Sequence, residues 1–436
     1  MESCSWRYPR SVEFETLGKA DKNRMDTILY IDHYAGSPVH GMEFRPYYLA
    51  RRWVRMGYRV FIAAASFSHV RKTNPKVAGV VSREELDGIT YLWLKTPAYA
   101  GNRLGRVFNM LVFVYRLLRL RHRLARLRGL RAVIASSTYP LDIYPAHRIA
   151  RKVRARLLFE VHDLWPLSPV ELGGYSRFHP FILVMQRTED FAYRKAHWVV
   201  SMLPKALPHM VRHGLAAGKF VHIPNGIEPE EYAAAGGENT AVLARIPEGK
   251  FLVGYAGTLG IANALECFVR AAGALRREPG IHFVIVGGGP EEASLKRLAS
   301  ELRLSNLTFL PPVGKRQVLS VLKRFDVCYI GFKRSRLYRF GVSPNKLFDY
   351  MYAGRPVLQA IEAGNDLVAE AGCGISVQPD NPAAVAEAVQ RFYRMEPRMR
   401  AEMGERGRRY VLANHTYERL AERFAALFEA PVDADP

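Results

Sequence analysis

The sequence predicts an α/β protein built of two facing, Rossmann-like, doubly wound domains with a cleft between them. Short apolar runs alternate with amphipathic helical stretches along nearly the whole chain, which is the pattern of a parallel sheet covered on both faces. The pattern restarts after residue 219. The length of 436 residues exceeds what one ordinary core holds, so two domains are expected.

Residues 1–25 are polar and mixed in charge, and read as a disordered tail without the features of a signal peptide. "TILYID" (27–32) is a buried strand, followed by a loop holding Gly36, Pro38 and Gly41. "MEFRPYYLARRWVRMG" then has helical periodicity and "YRVFIAAA" is the second strand. "RAVIAS", "RLLFEVHD" and "AHWVVSML" complete a first domain at 26–210. A Pro-Asn-Gly turn signal at Pro224–Asn225 marks the junction. In the second domain, 220–400, "FLVGYAGTLG" is strand then glycine loop, and "HFVIVGGGPEEASLKRLASEL" is strand, loop and helix. "LTFLPPV", "DVCYIGF" and "RPVLQAI" are further strands. Residues 401–436 are helical, with an amphipathic stretch at 416–429 that docks on one of the domains.

The net charge is +22, and it is uneven. Residues 1–200 carry 33 Lys and Arg against 16 Asp and Glu; residues 201–436 carry 30 against 25. The first half therefore favours an anionic partner: membrane lipid, nucleic acid or a phosphorylated substrate. Within it, 103–131 holds nine arginines and no acid. Arg116, Arg119, Arg123 and Arg126 share a helix face, and Phe113, Leu117, Leu120, Leu124 and Leu127 form an apolar stripe beside it. Such a helix suits an anionic bilayer surface, and equally a core with a solvated basic face; the charge of the domain favours the membrane. No nucleic-acid module is recognisable, and no nucleic-acid partner is expected. No apolar run approaches the ~20 residues that span a bilayer. The four cysteines are scattered without a CxxC pair, against a zinc site or a disulfide framework.

The chemistry concentrates at strand ends. In "GVSPNKLFDYMYAGRPVL", Ser343 and Pro344 suit a helix start, whose free N–H groups at Asn345 and Lys346 face an anion, with Asp349 one turn further on. Alone, the stretch fits a capped helix with a Lys–Asp surface pair just as well. "GFKRSRLYRFGVSPNK" puts Lys333, Arg334, Arg336, Arg339 and Lys346 within fourteen residues, a phosphate clamp or a solvated loop. "FEVHDLWP" leaves His162 and Asp163 at a strand's carboxyl end, where ligands of such sheets bind. "VIVGGGPEE" breaks the dinucleotide frame, because Glu292 stands where the third glycine belongs. No Walker motif or nucleophile elbow is present.

Together, "FEVHDLWP", "PNGIE", "GYAGTLG", "VGGGP" and above all "SPNKLFDYMYAGRPVL" resemble the retaining glycosyltransferases of family 4, with the GT-B fold, over roughly residues 26–430. They are most similar to the branch of O-antigen and capsule N-acetylfucosaminyl transferases. The resemblance implies a UDP-sugar donor in the second domain and an acceptor in the first. The basic first domain, its Arg-rich helix and the lack of a spanning segment make a lipid-linked sugar the expected acceptor. No cofactor is expected, and no metal either, because cations and helix N–H groups can offset the diphosphate charge and no DxD triad stands in a suitable loop. The resemblance also implies that Asp349 binds the ribose, that Ser343, Asn345 and Lys346 face the diphosphate, and that His162 contacts the transferred sugar. It further implies that Gly36 and Gly41 approach the phosphates, that Gly257 and Thr258 line the donor site, and that Val313 lies by the base. Two departures stand out. Gly341 replaces an acid eight residues before Asp349, and "GTLGIANAL" offers Thr258 and Asn263 where the family carries Arg and Lys. Lys346, Arg336 and Arg339 are then the expected diphosphate cations. No obvious carboxylate nucleophile sits in the first-domain loops, so a front-face displacement is expected, at the inner face of the cytoplasmic membrane. A sugar-nucleotide epimerase of the same fold, or a non-enzymatic protein binding anionic membranes or nucleic acid, are the alternatives. Nucleotide affinity separates the last from the others.

Overall fold

The computed structural model describes residues 25–101, 104–233 and 240–430. The expectation of a disordered tail falls, but for Met25, outside these residues. The first sheet holds β1 (Thr27–Ile31), β2 (Arg59–Ala65), β3 (Val81–Leu86), β4 (Ile89–Leu94), β5 (Leu130–Ala135), β6 (Arg156–Val161), β7 (Trp198–Ser201) and β8 (Phe220–His222). Its order is β3-β4-β2-β1-β5-β6-β7-β8. The second holds β9 (Phe251–Ala256), β10 (Ile281–Val286), β11 (Leu307–Leu310), β12 (Val327–Gly331), β13 (Val357–Ala360) and β14 (Gly374–Val377), in the order β11-β10-β9-β12-β13-β14. Each sheet is buried between helices, so β1, β9 and β13 are buried at every position rather than at alternate ones.

One pairing departs from the parallel rule. β3 and β4 form an antiparallel hairpin at the sheet edge, turned by Asp87 and Gly88 with φ of 50° and 78°. Only half of β3 faces the protein, so its charged, alternating sequence hid it from an apolar-run search.

The chain returns to the first domain at its end. The helix Pro397–Asn414 lies against the second-domain helix Asn345–Tyr352, and Tyr417–Glu429 crosses back. There Leu420, Phe424 and Phe428 join the core beneath the helix Arg45–Arg55, and Trp53 Nε1 donates to the Ala421 carbonyl at 3.1 Å. The first sheet runs past residue 210 to β8.

The Arg-rich helix, Leu104–Leu124, corrects the stripe chosen from sequence. Phe113, Leu117, Leu120 and Leu124 are core residues under the first sheet, with Leu127 packed against them, so they offer nothing to a bilayer. Arg116 is half-buried and donates to the Val80 carbonyl, whereas Arg119, Arg123 and Arg126 are exposed. A different face is open: Leu104, Phe108, Leu111 and Tyr115, spaced 4, 3 and 4, are 84%, 60%, 51% and 57% exposed. The neighbouring helix Pro180–Lys195, which shares a cluster with Met110 and Val114 through Met185, adds exposed Leu183 and Val184, preceded by Phe178.

Candidate active site

A cleft of about 440 Å³ lies between the carboxyl ends of the two sheets. From the first domain come Glu43, Thr138, His162 and Asp163; from the second come Lys315, Ser343 and Asn345. A smaller cavity of about 210 Å³ is lined by Gly257, Thr258, Gly287, Gly288 and Val313, at the ends of β9, β10 and β11. The glycines let these strand ends approach. A Cβ on Gly287 would stand 1.9 Å from the Gly257 carbonyl oxygen, so the Gly-Gly-Gly run serves loop-to-loop contact.

His162 follows β6. Its Nε2 lies 2.9 Å from Ser136 Oγ and 3.6 Å from Glu160 Oε2, while Nδ1 is 4.0 Å from Glu43 Oε2. Burial by itself would lower its pKa, but hydrogen bonding to and the charge of Glu160, with Glu43 and Asp32 behind it, hold it up at about 9. His162 is therefore an imidazolium at neutral pH: a donor and a positive charge, not a base. Glu160 is fully buried; burial would raise its pKa, but Arg45 and His162 keep it well below the usual carboxylate range. Burial raises Asp32 to about 7 against the pull of His162.

The sign of the histidine's contribution follows. A pKa raised above the ordinary 6.5 contributes stability that is fully present below that pH and is lost as pH rises through about 9. Thermal melts of wild type and His162→Gln should differ at pH 6, by on the order of 1–3 kcal/mol, and converge by pH 10. A difference that is independent of pH would contradict the charge assignment.

The start of the stretch 341–358 on the donor side folds differently from its sequence expectation. The helix runs Asn345–Tyr352 with Pro344 as N-cap, so Ser343 does not cap it. Instead Ser343 Oγ accepts the Asn225 N–H at 2.8 Å, and its carbonyl accepts Asn225 Nδ2 at 2.9 Å, tying the interdomain turn to the helix start. The Leu347 N–H is spent on Pro344 O; those of Asn345 and Lys346 make no hydrogen bond among the described residues and remain available to an anion. Gly354 ends the helix with φ of 68°.

Lys346 and Asp349 do not pair. Lys346 Nζ donates to Asn263 Oδ1 at 2.6 Å and Tyr255 OH at 3.2 Å, lying over Gly257, where a Cβ would meet Lys346 Cδ at 2.6 Å. Burial lowers its pKa to about 8, with Asp349 opposing. Asp349 takes both oxygens to Lys315 Nζ, at 2.6 and 2.7 Å, and also accepts the Tyr232 hydroxyl.

The structure thus brings His162, Ser343 and Asn345 into one cleft, with Asp349 reached through Lys315, and puts Gly257, Thr258 and Val313 together beside it. Three expectations need correcting. Gly36 and Gly41 line neither cavity: their N–H groups are spent within their loop on Glu43 O and Ser37 O, and Met42 and Glu43 face the cleft in their place. Arg336 is exposed and lines neither cavity, and Arg339 pairs with Glu171 of the first domain at 3.1 Å. The first-domain loops do bring a carboxylate that was not expected, Glu43, into the cleft, which Asp163 lines as well. Glu43 and Lys315 were not expected from sequence; Glu43 stands two residues after Gly41 and Lys315 directly after Gly314, each a charged residue just past a glycine turn.

The family comparisons divide the chain where the sheets do. A family model described as "Glycosyl transferase 4-like domain" matches residues 40–226, and one described as "Glycosyl transferases group 1" matches 250–395. A putative colanic acid biosynthesis glycosyl transferase, WcaI of Escherichia coli strain K12, is 28% identical over 197 residues, 44% of this chain and 47% of that one. The chain spans about half the length of the curated relatives it matches, 47% and 60%. Sucrose-phosphate synthase from Thermosynechococcus elongatus has the same fold with a TM-score of 0.69 at 17% identity, over 92% of this chain and 98% of that one. HepE of Anabaena, in complex with UDP and glucose, gives 0.65 at 15% identity, over 93% and 99%.

Proposed function

The chain belongs to the glycosyltransferases of the GT-B type, and from that premise we propose that it transfers a sugar, N-acetylated, from a UDP-sugar to a lipid-linked acceptor in the synthesis of a bacterial surface polysaccharide. The observation that carries the reading is the donor half of the cleft. A helix start with free N–H groups, a half-buried lysine and a nearly buried carboxylate stand beside a glycine-walled cavity, with a charged histidine across from them. The bound UDP of HepE and the polysaccharide role in the printed name of WcaI support it. Asp349 takes the ribose hydroxyls, Val313 borders the base, and the Asn345 and Lys346 N–H groups face the diphosphate.

In the reaction, the bond between the sugar's anomeric carbon and the phosphate oxygen breaks, and a bond to the acceptor oxygen forms. Positive charge and N–H dipoles on the second domain stabilise the departing nucleoside diphosphate without a metal. The acceptor proton leaves with the phosphate. With Glu43 in the cleft, a lack of nearby carboxylates no longer argues for a front-face path, and retention rests on the family resemblance alone. Closure of the domains excludes water. Calorimetric titration with UDP and then GDP tests the reading, and binding of neither overturns it.

The acceptor side docks on an anionic bilayer through the open face of the Leu104–Leu124 helix. Leu104, Phe108, Leu111 and Tyr115 supply apolar contact, and Arg119, Arg123 and Arg126 further along supply charge, about 1 kcal/mol each near such a surface. No helix among the described residues is long and apolar enough to cross a membrane. Sedimentation with phosphatidylglycerol vesicles should show salt-sensitive binding that Leu104→Ser with Phe108→Ser weakens at least ten-fold, whereas Leu117→Ala should not act by this route. Equal binding to neutral vesicles would count against it.

A further inference from the structure

We propose that Lys315 is a donor-site cation with two positions: on the Asp349 carboxylate in the protein alone, and on the diphosphate in the nucleotide complex. The inference rests on the glycosyltransferase reading and names the cation that reading lacks.

The other candidates are committed. Arg45 lines the cleft, but is buried and holds Glu160 at 2.8 Å and the Pro224 carbonyl at 2.6 Å. Lys346 is held by Asn263, and Arg339 by Glu171. Lys315 lines the same cleft as Ser343 and Asn345, its side chain is 35% exposed, and its stem leaves the first turn of the helix Lys315–Leu322. A lysine is a compact charge on a flexible stem, and it moves between two anions more readily than a forked guanidinium.

Counting acceptor sites on Asp349 supplies the need to move. Oδ1 already receives Lys315 and Tyr232, and Oδ2 receives Lys315. A carboxylate offers about four lone-pair positions, so about one is left, and a ribose diol brings two hydroxyls. Both dock only if the ammonium lets go. A diphosphate at the helix start offers it a new partner within the same cleft, so neither charge is left unpaired. A nucleoside without phosphates has to displace Lys315 and offers it nothing. Lys315 thereby makes the site prefer a nucleoside diphosphate to its nucleoside.

The test is calorimetric titration of wild type, Lys315→Met and Lys315→Arg with UDP and with uridine, with thermal unfolding run alongside to establish that each variant is folded. Lys315→Met should weaken UDP at least ten-fold while uridine binds as well as or better than before, and Lys315→Arg should recover part of the UDP affinity. Equal weakening of UDP and uridine would mean that Lys315 only holds Asp349 in place, and no change in either would mean it has no role; both overturn the proposal. If wild type binds neither UDP nor GDP, the nucleotide-sugar reading itself falls, which is a separate result. If GDP is the ligand, GDP and guanosine take the same places.

Discussion

UDP binding is expected to vanish from calorimetric traces of Asp349→Ala while the protein stays folded. Asp349 is nearly buried one turn into the donor helix, where its oxygens meet Lys315 and Tyr232 in the protein alone. Hydrogen bonds to a charged group contribute about 1.5–3 kcal/mol each, so losing the pair made by a ribose diol lowers affinity by roughly a hundred-fold or more. Asp349→Asn sharpens the result. It keeps the size and an acceptor for Tyr232 but gives up the charge, so it should fall between wild type and alanine. UDP affinity unchanged in both variants would leave the helix a packing element of the second domain with no part in nucleotide binding.

Arg45→Met is expected to cost about 3–5 kcal/mol in denaturant unfolding, the largest stability effect among the residues of the cleft. Arg45 and Glu160 are both buried, and the guanidinium also ties Ile223 and Pro224 of the interdomain turn to β6. Removing it strands the Glu160 charge in the core, with only His162, Ser136 and Tyr30 about it. Arg45→Met combined with Glu160→Gln should recover a large part of the loss, because the unpaired charge goes with its partner. A double variant as unstable as the single one would show that the loss comes from the turn contacts instead. The same substitution loosens the turn whose Asn225 holds Ser343, so UDP affinity should fall with it.

The architecture was legible in the sequence because it is written in local periods. A strand buried on both faces must be apolar throughout, a covering helix must be apolar every three to four residues, and glycine must stand where strand ends meet. The site stretch from Gly341 to Leu358 was legible for a similar reason: Asn345, Lys346 and Asp349 sit on one short helix, and helical geometry sets where they project. β3 escaped because an edge strand answers to one face only, whereas β4, buried at every position and apolar but for Thr90, carries the same signal as the strands beside it.

Partners were decided by the tertiary structure. Ser343 reads as a cap from its neighbours, yet the turn at Asn225, 118 residues away, takes its hydroxyl. Helical spacing offers Asp349 to Lys346 three residues before it, yet Lys315, 34 residues away, holds it. The Leu104–Leu124 helix carries apolar residues on more than one face, and periodicity alone does not say which face the sheet covers. A sequence fixes the direction in which each side chain leaves its own backbone; which group meets it there depends on how distant segments are brought back together by burial of the common core.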